Sequence, residues 1–314
     1  MSSYAQKLLR VKFTLSNGAT FSAGAPGDPP NQLTLVGLRT TATILCQGAP
    51  SFPQCDLNIF GMAQSDMNAL SALTFEVTGV NRNTVQVDAS SDGGVSFSTV
   101  YAGQIVSSHV EYNPPEASLR VTAQMAFFDQ INPATPTSYT DSVSVATVVS
   151  AIAAKMGFAF ENNGVETVLP GPQYFPGVLT EQLRDATSAA GIDWYMETGA
   201  LVQTLAICPK GSARKTPTFV LSPDSGLLSY PPIDSRGYIR PKALYNPAFR
   251  FGGPITIAGS DVVIDPNAPS TLNSRANGNW MIGAMSHHLE ALKFEGEWFS
   301  YLLLYPPGQE PPQQ

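Results

Sequence analysis

Nucleophilic catalysis needs a nucleophile, a base and a group that orients the base, and bases are scarce in this chain. Only three histidines occur: His109, His287 and His288. No Gly-x-Ser-x-Gly turn presents a serine nucleophile. A triad would have to combine His287 or His288 with a remote Ser and Asp. Adjacent residues of a strand project to opposite faces, so one of the two histidines points inward and the other outward. The same alternation puts His288 and Glu290 on one face and His287 on the other, short of the three or four ligands of a zinc site. Cys46, Cys55 and Cys208 have no C-x-x-C spacing. An odd, small number of cysteines reads as free thiols in a reducing compartment, with a Cys46–Cys55 pair across a loop as the alternative. Glu295 and Glu297 flank Gly296, and Asp261 and Asp265 flank Val-Val-Ile. They read as a solvated turn and strand ends rather than as a glycosidase pair. Trp194, Trp280 and Trp298 would suit a sugar platform, but their apolar neighbours favour core or subunit-interface packing. Phosphate-binding glycine loops are absent. The residues therefore assign no catalytic, cofactor-binding or metal-binding position.

Bulk composition points the same way. Hydrophobic residues make up 43% of the 314, and charged residues only 13%, against about a quarter in ordinary globular chains. Such a neutral surface fits a protein that hides much of itself against partners. The net charge of -7 argues against a phosphate-binding face. The two small basic groups, Lys7, Arg10 and Lys12, and Lys210, Arg214 and Lys215, read as solvated flanks. Met1 to Arg10 lacks the apolar core of an export signal, and no apolar run is long enough to span a bilayer. Cytoplasmic synthesis without membrane insertion is expected.

Gly and Pro, 26 of each, are spread along the chain, as expected of many turns between short strands. Strands are expected at Val11–Leu15, in one long bent run over Leu33–Leu45, and at Leu73–Val80, Thr84–Ala89, Phe97–Val106 and Ser118–Phe127, with a turn at Asp92–Gly94. A short helix capped by Ser65 is expected within Asn58–Ala72. Pro133 and Pro136 mark a boundary. Beyond it, Val145, Val148, Val149, Ile152 and Met156 form a helical stripe that Gly157 stops. A second helix runs from Thr180 to Gly191, with Leu183, Ala186, Thr187 and Ala190 on one face. The strands Ile192–Glu197 and Ala200–Cys208 follow as a hairpin turning at Thr198–Gly199. Further strands are read at Pro217–Leu221, Leu227–Tyr230, Lys242–Asn246, Pro254–Ile257, Trp280–Ala291 and Gly296–Tyr305. The fold class is thus mainly β with a small α+β insert: two β-barrel-like domains plus a helix–strand–helix–hairpin module. The expected division is an N-terminal β-barrel domain over 1–135 with a short helical excursion, an α+β module over 136–212, a C-terminal β-barrel domain over 213–305, and a Pro/Gln-rich, extended or disordered tail over 306–314.

Two stretches resemble a known family. The first is SVSVATVVSAIAAKMGFAFEN…LTEQLRDATSAAGIDWYMETGALVQT. The second is GYIRPKALYNPAFRFGGPITI followed by NGNWMIGAMSHHLEALKFEGEWFSYLLLYP, with its Asn246–Pro247 step, its Gly252–Gly253 turn, and His287 followed by Glu297 and Trp298. Together they are similar to the baseplate hub protein of contractile-tailed bacteriophages, related to the hub part of type VI secretion spike proteins. The resemblance implies a non-catalytic, ring-forming homotrimer in the virion tail, assembled in the host cytoplasm. Two similar β-domains per chain would give the trimer a near-sixfold outline and adapt a sixfold tail tube to a threefold spike. The implied partners are a central spike protein, the tail tube or a tube-initiator protein, and baseplate wedge proteins. Since no spike-like extension follows Trp298, the spike is expected on a separate chain, with the Pro-rich tail a candidate contact. The alternatives are a β-sandwich carbohydrate-binding tail component and a cell-wall hydrolase.

Overall fold

The computed structural model describes residues 5–309 apart from 17–19, 22–26, 72–81, 199–201, 230, 232, 235 and 260–275. The strand expected at Leu73–Val80, the Thr198–Gly199 turn, the pair Asp261 and Asp265, and the last five residues of the tail lie wholly or partly outside these.

The front of the chain is built from β1 (Leu8–Thr14), β2 (Gln32–Val36), β3 (Thr40–Gln47), β4 (Gln54–Phe60), α1 (Gln64–Ser71), β5 (Thr84–Ser90), β6 (Ser98–Asn113) and β7 (Glu116–Gln124). α2 (Phe127–Ile131) leads out of it. β1 alternates half-buried and buried residues, with Leu9, Val11 and Phe13 inward, which is why a period of two was readable there.

The middle contains β8 (Thr137–Tyr139), β9 (Val143–Ser144), α3 (Val145–Met156), β10 (Ala159–Asn162), β11 (Val168–Leu169), β12 (Gln173–Phe175), α4 (Leu179–Ala190), β13 (Ile192–Thr198) and β14 (Gln203–Pro209). Ser144 caps α3, its hydroxyl accepting from the Thr147 amide at 3.1 Å. The stripe Val145, Val148, Val149, Ile152 and Met156 is buried in one cluster with Leu183 and Ala186 of α4. β10, β14 and β13 form a small mixed sheet in the same cluster, β10 parallel to β14.

The last part contributes β15 (Phe219–Leu221), β16 (Lys242–Leu244), β17 (Pro254–Ile257), β18 (Gly278–Ala291) and β19 (Trp298–Tyr305). The fold is mainly β, and its large sheet is mixed and twelve-stranded among the described residues, in the order β15-β17-β18-β3-β4-β7-β6-β5-β1-β2, with β19 on β18 and β16 on β19. β18 is long enough to pair β17 through its first residues and β3 through its last eight, from Ala284↔Gln47 to Ala291↔Thr40. Strands from 1–135 and 213–305 are therefore hydrogen-bonded into one sheet over one shared hydrophobic cluster.

Three expectations change. Leu33–Leu45 is two strands: β2 pairs β1, whereas β3 pairs β4 and β18. The chain changes partners at Gly37–Arg39, and a run rich in Thr, Val and Leu on both sides of the change cannot reveal it. Asn58–Ala72 begins as strand, since β4 buries Cys55, Leu57 and Ile59 in alternation. The helix is confined to α1, so Ser65 sits inside its first turn rather than capping it. Ile59 and Met62 fit either period over so short a window. Leu227 makes only an isolated bridge to Ala243 in place of the strand expected there.

Candidate functional site

Among the described residues, the chemistry-bearing side chains do not converge on one site. β18 turns His287 inward and His288 outward. His287 is 4% exposed and Ser300, opposite it on β19, is 0% exposed. His287 Nδ1 lies 2.8 Å from Ser300 Oγ, and the Tyr245 ring stands edge-on at 5.3 Å. Burial pushes the His287 pKa down to about 4, with the neighbouring His288 adding to the effect. A serine and a histidine therefore do meet, but the hydroxyl is sealed in the core. His288 lies 3.8 Å from Glu297 and against the Tyr301 ring. His109 is on β6, four strands away across the sheet, 3.7 Å from Glu111. Glu290, next to last in β18, accepts from the Glu297 amide at 2.9 Å and from Lys293 Nζ at 2.7 Å, so it ties down the β18–β19 turn that carries Glu295 and Glu297. Among the described residues, no group of three His, Cys, Asp or Glu side chains converges as metal ligands do.

The three cysteines are buried free thiols. Cys46 and Cys55 sit diagonally on neighbouring strands, Cys55 being opposite Ile44. Desolvation, helped by Glu197, raises Cys46 to about 12, so it stays protonated and unreactive at neutral pH. Trp194, Trp280 and Trp298 are all buried. Trp298 Nε1 donates to Ser91 Oγ at 3.0 Å and Trp280 Nε1 to the Ala276 carbonyl at 2.8 Å, so they pack the core and offer no flat platform.

One of the basic residues read as solvated is not. Arg214 is 4% exposed. Its Nε and Nη2 reach Glu161 of β10 at 3.2 and 2.8 Å, and its Nη1 reaches Glu197 of β13 at 2.7 Å and the Phe251 carbonyl at 2.9 Å. Glu197 also accepts from the Phe251 amide at 3.2 Å. Arg214 thus fastens the α+β module to the turn ahead of β17. Sequence could not show this, because Glu161 and Glu197 are 36 residues apart and neither is near Arg214 in the chain. The same turn carries Gly252, at φ 74°, where an added Cβ would stand 2.8 Å from the Tyr195 ring. That ring is pinned between Phe251, edge-on at 5.2 Å, and the Tyr305 hydroxyl at 3.4 Å. Gly252→Ala is expected to cost about 2 kcal/mol or more, from the left-handed backbone plus the clash. Gly157→Ala, at φ 79° with open space around the Cβ, is expected to cost about 1 kcal/mol. Urea titration of the two variants separates strain from clash.

Exposed apolar side chains occur in several places, including Val95 on the β5–β6 turn, 88% exposed, and Tyr174 of β12, 66% exposed; one group lies at one end of the large sheet. Register runs Ala291↔Thr40, Thr40↔Ile59, Ile59↔Leu119 and Leu119↔Val110. All turns beyond that line leave from the same edge. The β18–β19 turn carries Phe294, 91% exposed, and Leu292; Tyr112, 70% exposed, lies near the end of β6; Val36 lies at the end of β2. Beside the β6–β7 turn lies an open groove whose apolar lining includes Leu38, Phe60, Met62, Met67 and Pro115. Arg39 stacks at 3.7 Å on Phe60 and pairs with Glu116 at 2.5 Å at the rim. Sequence reasoning missed Phe294 and Tyr112. The usable signal was an aromatic inside a turn, in Lys-Phe-Glu-Gly, and one just ahead of a turn, in Tyr-Asn-Pro-Pro.

Comparison with known proteins places this geometry. A family model described as baseplate hub gp41 matches residues 8–294. No curated protein matches in sequence. Among solved structures, the fold is similar to a tail protein from Neisseria meningitidis MC58, with a TM-score of 0.59 at 10% identity, covering 96% of this chain and 97% of that one. It is similar to the 43 kDa tail protein of prophage MuSo2 from Shewanella oneidensis, with a TM-score of 0.57 at 8% identity, covering 95% and 98%. It is also similar to the E. coli c3393 protein, a type VI secretion component described as structurally similar to the T4 tail proteins gp27 and gp5, with a TM-score of 0.54 at 14% identity, covering 86% and 74%.

Proposed function

The chain belongs to the baseplate hub gp41 family and is a structural protein of the phage tail baseplate; from that premise we propose that three copies close into a ring joining a sixfold tail tube to a threefold spike. A central spike protein, the tube or a tube initiator, and wedge proteins are its partners, and it is assembled in the host cytoplasm without nucleic acid or membrane insertion. The three-unit division, 1–135, 136–212 and 213–305 with a tail over 306–314, is the hub's construction in this proposal. It performs no catalysis and holds no metal or cofactor. The burial of Ser300 and His287 supports this against the hydrolase alternative, and the burial of all three tryptophans supports it against the sugar-binding one.

The observation that carries the ring is the apolar end of the sheet. Obligate contacts between subunits are more apolar than transient ones, with aromatic anchors at their centre. Ring closure needs a contact between unlike patches of identical copies. Phe294 and Tyr112 are the anchors, and a second copy is the occupant. Mass photometry is expected to find a trimer, alone or on adding the spike; a monomer in the presence of spike overturns the proposal. The double variant Phe294→Asp and Tyr112→Asp is expected to weaken subunit association more than tenfold, about 1.4 kcal/mol or more. Its melting temperature as a monomer stays that of the parent, because both side chains are exposed. Variants that still form trimers but lose spike or tube binding would reassign this face to that partner.

A further inference from the structure

α2 is one turn of helix set between the large sheet and the α+β module, packed against β6 on one side and α4 on the other. Its Asp129 is 2% exposed. One carboxylate oxygen, Oδ1, meets Arg82 Nη2 at 2.9 Å. The other, Oδ2, is buried and meets no donor among the described residues. The backbone around it is committed elsewhere: the Phe128 amide donates to Gln104 Oε1 at 2.8 Å, and the Asp129 carbonyl receives Thr180 Oγ1 at 3.5 Å. A buried anion with one bare oxygen is unfavourable, and a protonated carboxyl there is far less so.

We propose that Asp129 is a proton-operated joint between the front sheet and the α+β module. With the carboxyl neutral, α2 seats tightly between β6 and α4. With it ionised, the buried charge is met by Arg82 alone, a residue whose side chain is 41% exposed and lies over the Phe128 ring at 4.4 Å, and the seat loosens. The other charges of the packed elements are turned away. On β6, Glu111 pairs with both His109 and Arg120. On α4, Glu181 binds the Val178 amide, Arg184 binds the Pro50 carbonyl, and Asp185 is exposed. Desolvation raises the Asp129 pKa to about 6, with Arg82 opposing, which puts the change within reach of ordinary shifts in pH.

The test uses the full chain. The Asp129 carboxyl carbon is followed by nuclear magnetic resonance, and exchange of the amides of 128–132 and 179–183 is measured at pH 5 and pH 7.5 with the intrinsic rate divided out. A carboxyl midpoint near 6 is expected, with at least fivefold faster corrected exchange at pH 7.5. Asp129→Asn should bring that ratio near one, and Arg82→Ala should raise both the midpoint and the ratio. A midpoint in the ordinary aspartate range overturns the joint, and so does an exchange ratio that Asp129→Asn leaves unchanged. The carboxyl midpoint in the unaltered chain decides the matter even if a variant fails to fold.

Discussion

Arg214→Ala lowers the unfolding free energy by about 3–5 kcal/mol, the cost of removing one member of a buried ionic cluster and leaving the others uncompensated. The loss comes chiefly from the orphaned carboxylates. Glu197 keeps only the Phe251 amide and the more distant Arg250, at 3.8 Å. Glu161 loses both of its guanidinium contacts. Adding Glu197→Gln to Arg214→Ala is therefore expected to recover part of the stability. Arg214→Lys recovers less than half, because an ammonium is a point charge and cannot span two carboxylates and a carbonyl at once. Arg214, through its hydrogen bonds, holds the Glu161 carboxyl below the ordinary range. A depressed carboxylate contributes stability above its unfolded pKa and loses it as pH falls through the folded value, so the difference between parent and Arg214→Ala narrows below the normal Glu range, under about 4.5. Urea titrations at pH 7 and pH 4 check both statements, and a difference that widens on acidification contradicts them.

The second large effect is on acid tolerance. His287 is buried neutral, and its pKa falls from 6.5 to about 4. Such a group contributes stability above its unfolded pKa and loses it as pH drops from 6.5 through 4, by roughly 3 kcal/mol in all. Asp129 works in the opposite sense. Its folded pKa is raised to about 6, so its contribution is full below the unfolded value of 3.8 and is lost as pH rises through 6. The two slopes oppose each other between about pH 4 and 6. In His287→Asn, which keeps a polar partner for Ser300, the opposing slope is gone. That variant is expected to start about 1–3 kcal/mol less stable at pH 7, then to gain stability on acidification to pH 5 while the parent stays nearly flat. Thermal unfolding across that pH range measures it. An unchanged slope would place the sensitive group elsewhere.

Much of the fold was legible because local pattern and tertiary role agreed. β1, β5 and β7 alternate because one face is core. α3 carries its own cap, stripe and stop. His287 and His288 divided between two faces as strand geometry requires. The illegible parts are those where identity depends on a distant partner. β2 and β3 look like one strand until their neighbours are known. Arg214 looks like a surface cation because Glu161 and Glu197 arrive from other elements. Phe294 and Tyr112 look like core aromatics because composition does not say which side of a turn, or which face at a strand's end, meets solvent. The candidate interface was thus least readable where the chain is most exposed.

The pairing of β3 with β18 also sets an order in time. A ribosome delivers Thr40 long before Ala291, so the front sheet waits, open along β3, while the rest of the chain is made. An open strand edge is a template for any strand that fits its register, and contacts so distant in sequence form slowly. Several copies growing on one message hold that edge open side by side. A β18 from a neighbour closes it with the same hydrogen bonds as the chain's own. Exchange of β18 between nascent copies is therefore the misassembly that this topology invites.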